Sequence, residues 1–583
     1  MQQCLPRVGG GDRPRWASRR TLWLFLSVAI AALLVLLMLA ELPVIADWSF
    51  FSFYDPGAVL KGDELISLGM KPAIDFGYTH GLASLALAHW GFVLLGRTPA
   101  AFLIMMGILK LFMALAIARF AMAMRFRGWA IAFLLCALPV AIMPCYLTLT
   151  HPLEALLLLW AIAEEAAGRR EWSLACCTAC LFVKPSMAYM YGLVLVLWTL
   201  WDWRRRGAGW LYLLRRTRPA IATGTIMATV MTWWFGLKSL LLTIVPLTGL
   251  RTYQDTHFGF FRNSGLKFWS PLRHSFVYYL VTPAGLWLLC MALLIWFGAG
   301  LIRQLRLGMP HRGAETLISI AVMQVTFVLG FYGWTNSWQY YSYLPVLFVA
   351  VLLIPPRLCR PGWRRGANFS GEPGNADIPV HKDQGRRKRY PAECHPNSGD
   401  CTTPKNPHTH WRWAMALCLL ALLSQAKYAT TAINGWQTKV RSRQTGGLWA
   451  YPRQLAEWRH VTAMISGRPA LALFNGYLPW MPPGMIMPLS WFPEPGIPTP
   501  IELARVKRQL AGVDYVLTCN EYGRLGLWNQ KDFAAVRRRF RRIWRGNWMS
   551  VWKRRRNFIF PRHPPDPLAV RLLSCSPTGV RGL

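Results

Sequence analysis

TLWLFLSVAIAALLVLLMLAELPVIA, residues 21–46, follows Arg13, Arg15, Arg19 and Arg20 and decides what kind of molecule this is. Its apolar part runs for about 25 residues, enough for a helix to cross a hydrocarbon layer roughly 30 Å thick. No small-residue cleavage site closes it, so it reads as a retained first span with its basic side in the cytoplasm.

Working outward, the same alternation continues. Residues 100–124 span and end at Arg125 and Arg127, 129–146 go back out, and 152–167 return to Arg169 and Arg170. Residues 173–187 and 188–203 form a tight pair around Lys184-Pro185, closed by Arg204, Arg205 and Arg206. Residues 219–237 go out, a loop covers 246–274, and 275–302 return to Arg303 and Arg306. Residues 314–334 and 340–354 make a further pair ending at Arg357 and Arg360, and 413–433 form the last span. Residues 81–95 are apolar but short, and suit a place along the interface. Each basic cluster falls on the side of the N-terminus, which is the placement that orients membrane helices.

Composition agrees with a membrane domain. Of 583 residues, 54% are hydrophobic and 16% charged, and the mean hydropathy is +0.26. That polar fraction cannot cover a soluble protein of this length, so a membrane domain with an appendage is expected. The formal net charge is +39. Its placement at the ends of apolar runs and in two polar stretches fits topology and anionic lipid, and argues against nucleic acid. The 13 cysteines say little. Cys176, Cys177 and Cys180 sit in an apolar run, Cys394 and Cys401 flank His395 without a fourth zinc ligand, and Cys519 and Cys575 can pair only outside the cytosol.

The domain plan that follows is a cytoplasmic tail 1–20, a transmembrane domain 21–355, a basic cytoplasmic linker 356–412 that includes Arg386-Arg387-Lys388-Arg389, a last span 413–433, and an outer domain 434–583. In the outer domain, 469–474 and 513–518 read as buried strands, and 501–510 and 531–542 as helices, giving a small α/β unit. The internal sequence shows no repeat.

The stretch after the first span carries the chemistry. It contains Asp55-Pro56-Gly57, Gly69-Met70-Lys71-Pro72 and Asp75-Phe76-Gly77-Tyr78-Thr79-His80-Gly81. A carboxylate just outside a membrane helix can take the proton of a hydroxyl that attacks a sugar carbon. Read by composition alone, the same stretch is a solvated loop with ordinary acidic residues.

This pattern resembles the first external loop of the GT-C superfamily of membrane glycosyltransferases, which use polyprenyl-phosphate sugars. Many bacterial members read Asp-x-Gly, later Gly-x-x-Pro-Tyr-x-Asp-Phe, then a Tyr-x-x-Gly-Pro-like end. Asp55 falls on the catalytic base of that pattern and Asp75 on its second acidic position, while Ala73 replaces the Tyr and Leu82 the final Pro. Phe182-Val183-Lys184-Pro185 resembles the family's outer-turn lysine, where an ammonium offsets charge growing on a leaving phosphate; a lysine snorkelling from a helix end fits as well. Ser270-Pro271-Leu272-Arg273-His274 with Tyr278-Tyr279 resembles the junction that contacts the carrier, with Arg273 suited to phosphate. Trp338 to Pro345, with Tyr340, Tyr341 and Tyr343, resembles a late family segment ending Tyr-x-Leu-Pro; these tyrosines, like Tyr278 and Tyr279, also read as interface aromatics. His151 and Glu154 stand where the family often carries a further acidic residue, and a buried charge there must be paired or wet. Arg251, His257, Arg262 and Lys267 make the loop after Pro246 basic, for a phosphate or for headgroups. Val513-Asp514-Tyr515-Val516-Leu517 resembles a strand of the family's outer domain.

The resemblance thus implies an all-α, GT-C-like membrane domain of about ten or eleven spans with a small extracytoplasmic α/β domain. It implies inverting transfer from a polyprenyl-phosphate sugar to an envelope lipid, glycan or protein, in a bacterial inner membrane. Asp55 would be the base, Lys184 and Arg273 would neutralise the departing phosphate, and Asp75 and Glu154 would orient the acceptor or a metal. Some relatives use a divalent cation and others do not. Two rivals keep the membrane but change the role. A transporter or flippase of lipid-linked glycans calls for charges in mid-span or broken repeats. A glycan polymerase or ligase would place its Arg and His in a large central loop, such as 251–274.

Overall fold

The computed structural model describes residues 19–53, 55–78, 80–126, 128–142, 148–245, 283–306, 314–327, 341–353, 407–474, 481–489, 498–520, 527–529 and 531–555. Arg273, Tyr278, Tyr279, the basic loop 251–274 and the linker around Arg386 lie outside them. The described chain is helical up to Thr438, and a small mixed sheet follows.

Long apolar helices form the first part: Arg19–Ala40, Pro99–Ala123, Trp129–Ile142, Thr150–Ala166, Arg170–Leu181, Pro185–Arg206, Trp210–Phe235, Pro283–Arg306, Ala314–Phe327 and Tyr343–Leu352. Their boundaries have local causes. Thr98 Oγ1 accepts from Ala101 N at 3.1 Å ahead of Pro99, capping one helix start. Gly207, at φ 58°, ends another where an L side chain would be strained. The first helix, Thr150–Ala166 and Pro185–Arg206 share one hydrophobic core, with Ile30, Leu158, Leu195 and Phe348 wholly or almost wholly buried.

Among the described residues one helix, Pro99–Ala123, is long and apolar enough by itself to cross a membrane; the other apolar stretches are shorter. The outer faces are apolar too. Leu94 is 80% exposed, Trp296 78% and Trp233 86%, a surface better suited to lipid than to water.

The two ends of the helix bundle differ in chemistry. At one, Arg170 binds Glu165 at 2.8 Å, Asp202 at 2.7 Å and Glu315 at 2.7 Å, tying four helices through one guanidinium. Arg119 and Arg169 flank Glu164 there. Arg204, Arg205 and Arg206 end the helix that carries Asp202 at this same end. Following Thr150–Ala166, Arg170–Leu181 and Pro185–Arg206 in turn leads to the opposite end at Thr150 and at Lys184.

Residues read as loop between the first two spans form helices instead. Trp48–Phe53 and Asp55–Ser67 precede a turn and then Leu82–Leu95. The Trp210–Phe235 helix starts nine residues ahead of Pro219, which lies inside it. The segment read as one last span, 413–433, is two helices, Pro407–Leu423 and Ala426–Thr438. They part at Ser424 and Gln425, whose side chains take the carbonyls of Ala421 and Cys136.

The C-terminal unit holds a five-stranded sheet with Ala470–Leu473 paired in parallel to Met485–Ile486 and Tyr515–Cys519. Met549–Arg554 pairs antiparallel with Tyr515–Cys519 and with the edge strand Phe540–Arg545. Arg541 and Arg542 therefore lie on a strand, and the expected helix over 531–542 is confined to Lys531–Phe533 and Ala534–Arg537. Hairpin pairing with Met549–Arg554 outweighs the local helical preference of the Arg run. Pro452–Ile465 and Pro500–Gly512 flank the sheet. Cys519 closes the Tyr515–Cys519 strand, and Cys575, with which it was expected to pair, lies outside the described residues.

This unit is built onto the helical part of the chain. Trp48 meets Trp458 with ring centroids 5.8 Å apart, and Phe53 meets Phe474 at 5.3 Å. Trp449 N donates to Ala46 O at 2.9 Å, and Lys439 binds both Asp47 and Pro43 O.

Candidate functional site

Lys184 stands at the tip of the turn between two antiparallel helices. Pro185 sets the first residue of the second helix, and Lys184 just before it is extended, at φ −157°. A second segment is zipped onto this turn. Gly81 N donates to Val183 O and Ala83 N to Phe182 O, both at 2.9 Å. A Cβ on Gly81 would come 2.1 Å from Phe182 O, so only glycine permits this approach. The sequence His80-Gly81 is thereby laid beside Lys184.

Around the Lys184 ammonium, 3% exposed, the bundle gathers polar groups from distant parts of the chain. Lys184 Nζ donates to Tyr341 Oη at 2.9 Å and to His151 Nδ1 at 3.2 Å, and lies 3.5 Å from Glu154 Oε2. Tyr341 Oη donates in turn to the same Glu154 oxygen at 2.8 Å. His151 Nδ1 is 3.7 Å from that oxygen. Because an ammonium has only donors, His151 accepts on Nδ1 and carries its proton on Nε2. Glu154 Oε1 is buried with no hydrogen-bond partner among the described residues.

The cluster extends towards the loop. His80 packs against His151 and against Tyr78, with centroid distances of 5.9 Å and 6.1 Å. Burial, and then the Lys184 ammonium, push the His80 imidazole down to about 3, so it is neutral at ordinary pH. Tyr78 shares a 2.8 Å hydrogen bond with Ser84 Oγ, which also accepts from Thr150 Oγ1 at 3.1 Å and donates to Gly81 O. Burial drives the Tyr78 phenol up to about 12 despite those hydroxyls, so it too is neutral.

Of the residues singled out in the sequence, the structure brings Lys184, Glu154 and His151 into one cluster. Asp55 opens the Asp55–Ser67 helix, half-buried, where a carboxylate also suits the helix N-terminus. Asp75 closes a tight turn: its Oδ2 accepts from Lys71 N at 2.7 Å and its own N–H donates to Lys71 O at 2.8 Å. Tyr341, from the segment that resembles a late family stretch and also reads as interface aromatics, is at the centre of the hydrogen bonds. His80 lay in the quoted motif without a role. Polar residues bordering apolar runs, such as Ser84 and Thr150, were the signal that went unread. Among the described residues no group of three or more His, Cys, Asp or Glu side chains is arranged to hold a metal ion.

No family model matches the chain, and no curated protein does. The chain is similar in structure to ArnT from Cupriavidus metallidurans, a crystal structure bound to undecaprenyl phosphate. The likeness covers 93% of this chain and 99% of that one, at 13% identity and a TM-score of 0.43. That is a loose superposition, so the site is read from its own residues.

Proposed function

We propose that the chain is a membrane glycosyltransferase of the GT-C kind, with about ten or eleven crossings in a bacterial inner membrane. It moves a sugar, with inversion, from a polyprenyl-phosphate donor to an envelope lipid, glycan or protein at the extracytoplasmic face. One observation carries the reading. A buried ammonium, Lys184, sits at the bundle end remote from the Arg170 cluster, ringed by a carboxylate, a phenol and an imidazole, and zipped through Gly81 to the segment that bears Asp55 and Asp75.

The division of labour follows from charge. In transfer, the acceptor hydroxyl loses a proton while negative charge grows on the lipid phosphate. Asp55 takes the proton. Lys184, with Arg273 from the segment outside the described residues, meets the phosphate. Before donor arrives Lys184 is held by Glu154 and Tyr341, which satisfies a charge that would otherwise be costly to bury. Glu154 and Asp75 orient the acceptor, and Tyr278 and Tyr279 contact the carrier.

The deciding test is transfer in a detergent-solubilised or vesicle preparation supplied with polyprenyl-phosphate sugars, paired with mass spectrometry of envelope glycans from cells with and without the gene. A sugar missing from one envelope lipid or glycan in the deletion, and restored by the wild-type chain, is the expected result. Identical envelopes and no transfer would leave a transporter or another non-transferring role as the better reading.

A further inference from the structure

The outer domain reaches the site segment through one helix turn. Thr499 Oγ1 accepts from Glu502 N at 3.1 Å and starts the Pro500–Gly512 helix, which fixes where Glu502 and Arg505 point. Glu502 is 1% exposed, and its Oε2 accepts from Gly77 N at 2.8 Å, across 425 residues of sequence. Its Oε1 lies 3.8 Å from Arg505, which is 4% exposed. Arg505 holds Pro488 O at 3.1 Å and reaches Met70 Sδ at 3.4 Å. One acid and one base on successive positions of a helix face therefore grip the 70–77 turn at both ends. Four residues beyond Gly77, Gly81 is zipped to Val183 next to Lys184. Phe76, between the two anchors, is fully buried.

We propose that Glu502 is a positioning residue of the transfer site. It holds the 70–81 segment in the register that places His80 and Gly81 against the Lys184 turn, so the outer domain sets the geometry of the membrane site. This rests on the transferase reading, but its physical half is measurable without it. A charge-assisted hydrogen bond to a backbone N–H is among the stronger anchors a loop can have.

The test uses the full chain in detergent, with Glu502→Ala, Glu502→Gln and Glu502→Asp. Hydrogen exchange over residues 70–81 is expected to become roughly ten-fold faster in Glu502→Ala, with the 515–519 strand still protected. Glu502→Gln keeps an acceptor for Gly77 and is expected to restore most of the protection. In transfer, kcat falls roughly ten-fold in Glu502→Ala with the donor KM unchanged, and Glu502→Gln recovers it. If Glu502→Ala strips protection from 515–519, the domain has unfolded, and Glu502→Asp then decides, since it keeps the charge and withdraws the carboxylate by one methylene. Unchanged exchange over 70–81 in the folded variants overturns the proposal, as does faster exchange with an unaltered kcat, or a rise in donor KM alone. A wild-type chain that transfers no sugar would overturn the transferase reading, and this role with it, whatever the exchange shows.

Discussion

Tyr341 donates to Glu154 over 2.8 Å while accepting from Lys184 over 2.9 Å, so one phenol oxygen relays between a buried acid and a buried base. Tyr341→Phe deletes both bonds and leaves the ring. The Lys184 to Glu154 contact at 3.5 Å survives it, so the fold should persist. Transfer should fall roughly 10- to 100-fold, because the ammonium is no longer aimed. Steady-state rates beside a melting curve check this, and a wild-type rate would remove Tyr341 from the machinery.

Asp55→Asn tests the base. The amide keeps the shape and can still sit at a helix start, so expression and melting should match the wild type. Transfer should drop at least 100-fold, the order expected for losing general base catalysis. Full activity with a polyprenyl-phosphate sugar would reject the assignment and leave Asp55 as an acid in the first turn of a helix.

Gly81→Ala tests the close approach. Its Cβ would collide with Phe182 O at 2.1 Å, a backbone atom that cannot swing aside. A loss of about 3 kcal/mol is expected, seen as a lower unfolding midpoint in detergent together with lost activity. Gly209→Ala, with nothing within 4 Å of the new atom, is the control and should melt as the wild type. Equal midpoints for the two variants would show that the segment does not lie against the Lys184 turn.

His80 makes stability depend on pH. In the unfolded chain it titrates near 6.5, but in the folded chain burial and Lys184 lower it to about 3. Above pH 6.5 it is neutral in both states and contributes nothing. As pH falls through the window between those values, only the unfolded chain gains the proton, and the folded state loses stability. At pH 5 the loss is about 2 kcal/mol. Melting at pH 7 and pH 5 should differ for the wild type and differ less for His80→Gln. Equal pH slopes in the two would place His80 in water. His151 packs on the ring and remains in the variant, so some slope persists.

The helical alternation was legible because basic residues punctuate apolar runs, and Lys184 and Glu154 were legible because a charge bordering such runs is conspicuous. Their partner was not. Tyr341 is 157 residues from Lys184, and nothing local separates it from Tyr340 or from an aromatic at the lipid boundary. The same limit hid the edge strand at Phe540–Arg545, where a run of Arg favours helix locally and only the Met549–Arg554 partner makes it a strand. Local signals also misled where they were strongest. Pro219 looked like a helix start but sits inside one, and the break at Ser424 and Gln425 depends on a carbonyl of Cys136 in another helix. The grip of Glu502 on Gly77 is wholly non-local.

Trp48 and Phe53, buried against Trp458 and Phe474, make the two halves of the molecule co-owners of one core. Such an appendage cannot be traded between proteins as a cassette. A gene fusion that grafted a foreign domain after residue 433 would have to bring its own replacement for 47–53, or leave tryptophan and phenylalanine facing water beside the chemistry. Substitutions on either side of that seam should therefore be inherited together.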